Sequence, residues 1–423
     1  MRIALCVVSY AAGALGLFPG AAGAQEPSPP QRLLTLAEAR ALARSRSPDA
    51  SAARHAVVAA QGRERQAGAW PNPTVAYGRE QTSGAGDTIA QDILSLQQAV
   101  EVGGQRGARR EAARFARAAT EARVAATEAR VDFEVTRTYA AAVAAQRRAT
   151  FAEEAAASFA RAERASQARL DGGDVSGYQH RRLSLEAARY ETGRLSAVVV
   201  RDSARSALAS LLGLADSAGV VWSLVLVDTL TPVPLAGPMD SRVSLALAQR
   251  AELRALELDA DAGTAEARLA SAERTPTPVL SGGYKREQVN GAELSGFVAG
   301  VSLPLPLWDR RAGAVSAARA DAGRWDSEVE SARRQTAAEV RAAYEAQQAL
   351  AAALAVLSGA LGENAATARR AAEAAYGEGE IGLLEWLDSV RAYQEAETTY
   401  AILWAEYIAR RAALQRAIGA KPS

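Results

Sequence analysis

Two histidines, His55 and His180, one cysteine, Cys6, and the glycine-rich stretch "GEGEIG" at Gly377 to Gly382 are the groups that could carry catalytic or cofactor chemistry. An imidazole can act as general base or metal ligand and a thiolate as nucleophile. A G-x-G-x-x-G loop cradles a dinucleotide phosphate only where it follows a strand and opens a helix. Here a long helical pattern precedes Gly377, and neither histidine has a Cys or Asp-His pattern nearby. No P-loop, zincin motif or nucleophile elbow occurs. The expectation is therefore no enzyme, no cofactor and no metal site. Among the many carboxylates, Glu385 and Asp388 stand three apart, which puts both on one helical face. By itself that pair reads as acidic residues favoured by the dipole at a helix start.

The elements that would position these residues emerge from a repeat. "WPNPTVAYGREQ" at Trp70 to Gln81 returns as "TPTPVLSGGYKREQ" at Thr275 to Gln288, with Pro71 and Pro73 lying 205 residues before Pro276 and Pro278. Gly107 and Gly313, Gly173 and Gly379, and Leu212-Gly213 and Ile418-Gly419 keep an offset of 206. A constant offset across four landmarks predicts a duplicated unit of about two hundred residues. The predicted organisation is a signal peptide over 1–24, a first repeat over 25–213, a connecting element over 214–239 and a second repeat over 240–423.

The export signal rests on Met1-Arg2, the apolar run that follows and the A-x-A site at Ala22-Gly23-Ala24. Cleavage after Ala24 removes Cys6, and with it every disulfide and thiolate site. It leaves His55, His180 and Met239 as the soft or borderline metal ligands beyond carboxylates. With 49 Lys and Arg against 48 Asp and Glu, and no long run of one sign, nucleic acid is not an expected partner. Beyond Ala24 no stretch approaches the ~20 apolar residues of a spanning helix. The longest clean run, Gly219 to Val227, suits a short buried strand in a strand-and-loop element.

Each repeat reads as a helix, a Pro-x-Pro break, two extended segments, a very long helix, a Gly-rich tip and a returning helix. The predicted spans are Leu36–Ala69, Thr74–Val102, Gly107–Leu170 and Ser176–Leu212, then Ser241–Arg274, Val279–Leu307, Arg311–Tyr376 and Leu383–Ile418. Phe115, Ala119, Ala122, Ala126, Ala129, Phe133, Thr136, Ala140 and Val143 alternate steps of four and three, a heptad seam along a rod of about 95 Å. A second seam runs from Trp386 through Val390, Tyr393, Glu397, Tyr400, Trp404, Tyr407, Arg411 and Leu414 to Ile418, and its aromatic stripe is read as packing. In the fourth extended segment Phe297, Ala299, Val301, Leu303, Leu305 and Leu307 share one face, as lipid-facing residues of a membrane strand would. In the first, Arg79 breaks the face begun by Val75 and Tyr77, and the segment around Ile89 and Ile93 changes register.

Four strands cannot close a barrel, because transmembrane barrels use at least eight. Two hairpins on two long helical rods behind a signal peptide resemble the TolC-type outer membrane efflux proteins. The paired Pro-x-Pro breaks, "QQAVEVGGQRGAR", "LPLPLWDRRAGAV" and the two tips carry the resemblance from about Leu34 to Gly419. "PNPTVAYG" with "QAVEVGGQRGARR" is similar to the heavy-metal cation efflux members. The resemblance implies a mainly α fold with a membrane β-barrel: a coiled-coil barrel plus four β-strands per subunit, closed as a homotrimer. It implies the outer membrane channel of a tripartite efflux system, extending into the periplasm of a Gram-negative cell. Its partners would be a periplasmic adaptor, an inner membrane pump of the resistance-nodulation-division type and outer membrane lipid. By position it gives the adaptor-contacting role to Gly173, Asp174, Val175, Gly379, Glu380 and Ile381, and a periplasmic gate to Glu385 and Asp388, matched in the first repeat by Gln179. The competing reading is a periplasmic coiled-coil adaptor or scaffold without a barrel.

Overall fold

Alanine and leucine at heptad spacing favour long helices, and proline sets where they stop. The computed structural model describes residues 31–84, 87–214, 223–227, 237–289, 291–361 and 363–419, so the predicted signal peptide lies outside it. The chain opens with β1 (Gln31–Leu34) and α1 (Leu36–Arg46), which starts in a capping box between Thr35 and Glu38. The span expected as one helix to Ala69 is two, because α2 (Pro48–Ala67) starts afresh at Pro48. Proline disfavours the helical conformation in the residue before it, and Ser47 sits at φ −60°, ψ 123° and caps the Ala50 N–H.

After the Pro71 and Pro73 break come β2 (Thr74–Gly84), β3 (Asp87–Ala99), α3 (Gln105–Asp171) and α4 (Gly177–Leu211). The connecting element contributes β4 (Ser223–Leu226). The order then returns: α5 (Met239–Gln249), α6 (Ala251–Ala272), β5 (Val279–Val289), β6 (Ala292–Ser302), α7 (Ala312–Leu361), α8 (Glu363–Glu378) and α9 (Leu383–Ile418). The expected single helix from Ser241 is also broken, at Arg250, where no proline stands. Arg250 adopts φ −63°, ψ 120°, and its guanidinium reaches Glu339 on α7 at 2.6 Å.

The short strand expected within Gly219 to Val227 is β4, and it forms a parallel pair with β1, which was not expected. Its Leu34, Leu224 and Leu226 are buried with Tyr139, Trp404 and Tyr407 in the largest core cluster, and Tyr139 donates its hydroxyl to the Leu34 carbonyl at 2.8 Å. None of the nine seam residues of α3 is exposed. At 67 residues and 1.5 Å each, α3 is a rod of about 100 Å. Its sheet-proximal half packs on α2 and α6, and its distal half on α4 and α9. The hairpins β2–β3 and β5–β6 join through β3 and β5 into one antiparallel sheet ordered β2-β3-β5-β6, leaving β2 and β6 as open edges.

Candidate functional site

The register of the sheet sorts its side chains into two unlike faces. Pairing is unbroken along β3, so the expected register change near Ile93 does not occur. Instead the apolar residues of β3 change sides: Ile89 and Ile93 point one way, Leu94 and Leu96 the other. On the Leu94 side the rungs nearest the helices are Leu280 with Val301, then Val75, Leu96, Gly282 and Ala299, then Tyr77, Leu94, Tyr284 and Phe297. The large side chains in these rungs are all exposed, Phe297 to 89%. The next rung is Arg79, Asp92, Arg286 and Ser295, so Arg79 marks the upper border of an apolar band instead of interrupting it. The opposite face is mainly polar: it carries Glu80, Gln91, Ser95, Gln97, Ser281, Lys285 and Glu287 beside Ile93, Leu294 and Val298, with Lys285 and Glu287 ion-paired at 3.0 Å. An apolar outer face and a polar inner one is the division expected of a strand between lipid and a water-filled lumen.

The hairpin roots are fixed to the helices by the breaks that frame them. Gln98 donates to the Pro71 carbonyl and the Val100 N–H to the Pro278 carbonyl, each at 2.9 Å. Gly103 approaches Thr275 so closely that a Cβ would lie 2.4 Å from the threonine side chain. The root therefore closes only around glycine.

At the far end both tips use one construction. α3 ends with Gly173 at φ 84°, the Asp174 N–H bonded to the Arg169 carbonyl at 2.8 Å and the Gly173 N–H to that of Leu170 at 3.0 Å. α8 ends with Gly379 at φ 81°, Glu380 bonded to Ala375 at 2.8 Å and Gly379 to Tyr376 at 3.1 Å. This double bond pattern with a left-handed glycine is the Schellman ending. The tips are neighbours, since a Cβ on Gly379 would stand 3.9 Å from an Arg169 nitrogen. Gly173, Asp174, Gly379 and Glu380 are exposed, whereas Val175 and Ile381 are half-buried and turn back towards the helices.

Glu385 and Asp388 are exposed on one side of the first turns of α9, and Trp386, Leu387 and Val390 are buried on the other. In the first repeat Ser176 caps α4 and Gln179 completes the box, accepting from the Ser176 N–H at 3.2 Å. In the second, Gly382 holds the capping position with no side chain, so no such box ties Glu385 down. The expected aromatic packing stands directly beneath: Trp386 lies 4.6 Å from Phe159 and 4.7 Å from Tyr376, and Phe159 stacks on Tyr190 at 4.0 Å. Burial raises the Tyr190 and Tyr376 phenols above their ordinary value, with Arg391 and Arg169 respectively opposing it, so both stay neutral near pH 7.

Sequence reasoning did not find the charge ladder that joins the two helical hairpins, because its members are distant in the chain. Arg147 meets the buried Glu397 at 3.0 Å, Arg161 meets Glu373 at 2.7 Å, and Arg391 meets Glu186 at 2.9 Å. Only Glu397, a carboxylate inside an apolar seam, announces such a partner. A second surface also became visible only with the contacts known. Leu185, Ala188, Thr192, Leu195 and Val199 of α4 follow heptad spacing and are all exposed, an apolar stripe without a partner helix in this chain. Among the described residues no group of three His, Cys, Asp or Glu stands together as a metal site, and no helix is long and apolar enough to cross a membrane.

Residues 243–420 match the family described as outer membrane efflux protein. The chain is 28% identical over 283 residues to the cobalt-zinc-cadmium resistance protein CzcC of Cupriavidus metallidurans, across 66% of this chain and 65% of that one. It is also 28% identical to the nickel and cobalt resistance protein CnrC of the same organism, across 74% of this chain and 72% of that one. The matched part thus falls just short of two thirds of the CzcC length. Among solved structures, the Campylobacter jejuni CmeC outer membrane channel superposes with a TM-score of 0.75, covering 91% of this chain and 85% of that one at 15% identity. At that identity the likeness is one of fold.

Proposed function

We propose that this chain, which belongs to the outer membrane efflux protein family, is the exit duct of a tripartite efflux system, held in the outer membrane by its sheet and reaching through the periplasm with its helices. One observation carries the reading: a four-stranded sheet with two open edges and one face on which exposed apolar side chains fill successive rungs. Unpaired edges are not stable in lipid, and four strands cannot close on themselves. Three copies joined edge to edge give a twelve-stranded barrel with the apolar rungs outside and Glu80, Lys285 and Glu287 facing water. The exposed heptad stripe of α4 supplies the matching contact between neighbouring subunits in the helical part. A coiled-coil adaptor without a barrel needs no such sheet face. The two halves, 25–213 and 240–423, are copies of one unit joined by 214–239, and each contributes one hairpin of strands and one of helices.

The duct is passive, and transport energy comes from an inner membrane pump. The exposed tip residues Gly173, Asp174, Gly379 and Glu380 meet the adaptor, while Val175 and Ile381 hold the turns in shape from within. Glu385 and Asp388 face the tunnel axis, so that three subunits place six carboxylates around the periplasmic entrance. Crowded like charges there favour cations and admit a blocking multivalent cation. The CzcC and CnrC likeness and the acidic entrance together support metal cations as the cargo. Planar bilayer recording of the purified protein tests this reading. We expect discrete conductance steps, cation preference and block by a trivalent cation from the periplasmic side, with Glu385→Ala/Asp388→Ala losing block and gaining anion conductance. A protein that inserts no channel would refute the duct, and unchanged selectivity and block in the variant would refute the gate.

A further inference from the structure

The apolar face of the sheet is too short for a membrane. From Leu280 to Tyr284 it rises four residues, about 14 Å, whereas an outer-membrane barrel presents an apolar band of about 25 Å. The missing height lies either above the band or below it. Above stand Arg79, Asp92 and Arg286, then Gln81, Gln288 and Glu293, and charged side chains on a lipid face destabilise a barrel increasingly with depth. Below, the apolar residues continue past the strands. Val102 follows β3, and Leu303, Leu305 and Leu307 follow β6 on the connector to α7, all exposed in the chain. From Phe297 to Leu305 is eight residues, or about 27 Å when extended, which matches the band.

The lower border has the composition of a membrane interface. Trp308 is 93% exposed and Trp70 is 57% exposed with the Arg106 guanidinium 4.6 Å over its ring. Tryptophan concentrates at the interface of bilayer and water. Residues 101–110, 273–274 and 309–311 carry six arginines against three carboxylates. Arg274 and Arg310 are exposed and form no ion pair among the described residues. Guanidinium groups at that height match phospholipid phosphates.

We propose that the lipid-contacting surface is displaced towards the helical end of the sheet. Acyl chains cover the three lower rungs and the connector leucines, Trp70 and Trp308 mark the inner interface, and Arg274 and Arg310 meet phospholipid phosphates there. The sheet above the Arg79 rung stands clear of the hydrocarbon. The inference rests on the outer membrane reading. It is tested by single-cysteine spin labels at Arg79, Phe297 and Leu305 in the full chain, reconstituted in phosphatidylethanolamine–phosphatidylglycerol vesicles. Accessibility to oxygen against a water-soluble nickel reagent reports the depth of each label. We expect Phe297→Cys and Leu305→Cys in lipid and Arg79→Cys in water. Phe297 in lipid with Leu305 in water, or with Arg79 in lipid, overturns this inference alone. Phe297 and Leu305 both in water overturn the membrane reading beneath it. Quenching of native tryptophan by brominated phospholipid provides a measurement free of labels. Trp308→Phe should remove a large part of the quenching by shallow bromines, and no change would overturn the placement of Trp308.

Discussion

At the scale of single residues, glycine and charge divide the work at the tips. Gly173 and Gly379 adopt φ values that a side chain resists, so Gly173→Ala or Gly379→Ala should each cost about 1 kcal/mol, read as a lowered denaturation midpoint. Asp174 and Glu380 are exposed and bear no such structural duty. Reversing both, Asp174→Arg with Glu380→Arg, should abolish efflux and adaptor cross-linking while the yield of assembled protein stays normal. Unchanged resistance and cross-linking would remove these carboxylates from the adaptor contact. The sequence alone put Glu385 beside Asp388 on one face. It did not show that Gly382 leaves Glu385 outside a capping box that its counterpart Gln179 completes, because that distinction lies in hydrogen bonds to the backbone.

At the scale of elements, the tip hairpins depend on the aromatic cluster beneath them. Trp386 is fully buried, so Trp386→Ala should cost about 3–5 kcal/mol in thermal or chemical denaturation. Its indole nitrogen has no partner among the described residues, so Trp386→Phe should cost much less, and equal losses would show that the indole N–H is hydrogen-bonded. The kink at Arg250 makes a pH prediction. Burial pushes the Glu339 carboxyl up, but the hydrogen bond and charge of Arg250, with Gln335 and Arg416 beside it, outweigh burial and hold the group below its ordinary value. A carboxyl depressed on folding lends stability that is complete at neutral pH and lost as pH falls through the lowered folded value. Wild-type protein should therefore lose melting temperature below about pH 4.5 more steeply than Glu339→Gln. The long helices were legible because a heptad survives over many turns, and the Pro-x-Pro breaks were legible because proline acts locally. The kink at Arg250, the β1–β4 pair and the side-change of β3 were not, since each depends on partners far away in sequence.

At the scale of the whole molecule, the chain carries surfaces that it does not itself cover. Its sheet ends in two open edges, its apolar face and the α4 stripe are exposed, and yet the two halves are stitched to each other by ion pairs and buried aromatics. The proposed threefold closure would pair those edges and cover those faces, with each half of the chain supplying one hairpin to the shared wall. The order of strands and helices could be anticipated from the sequence because the duplicated landmarks count them. Cargo could not, because among the described residues no cluster of metal-ligating side chains offers a ligand set to read. The most direct test is electrophoresis of isolated outer membranes with and without heating. The account predicts a band at three times the subunit mass that survives mild detergent and collapses to the monomer on boiling. A monomer in the soluble periplasmic fraction would contradict it.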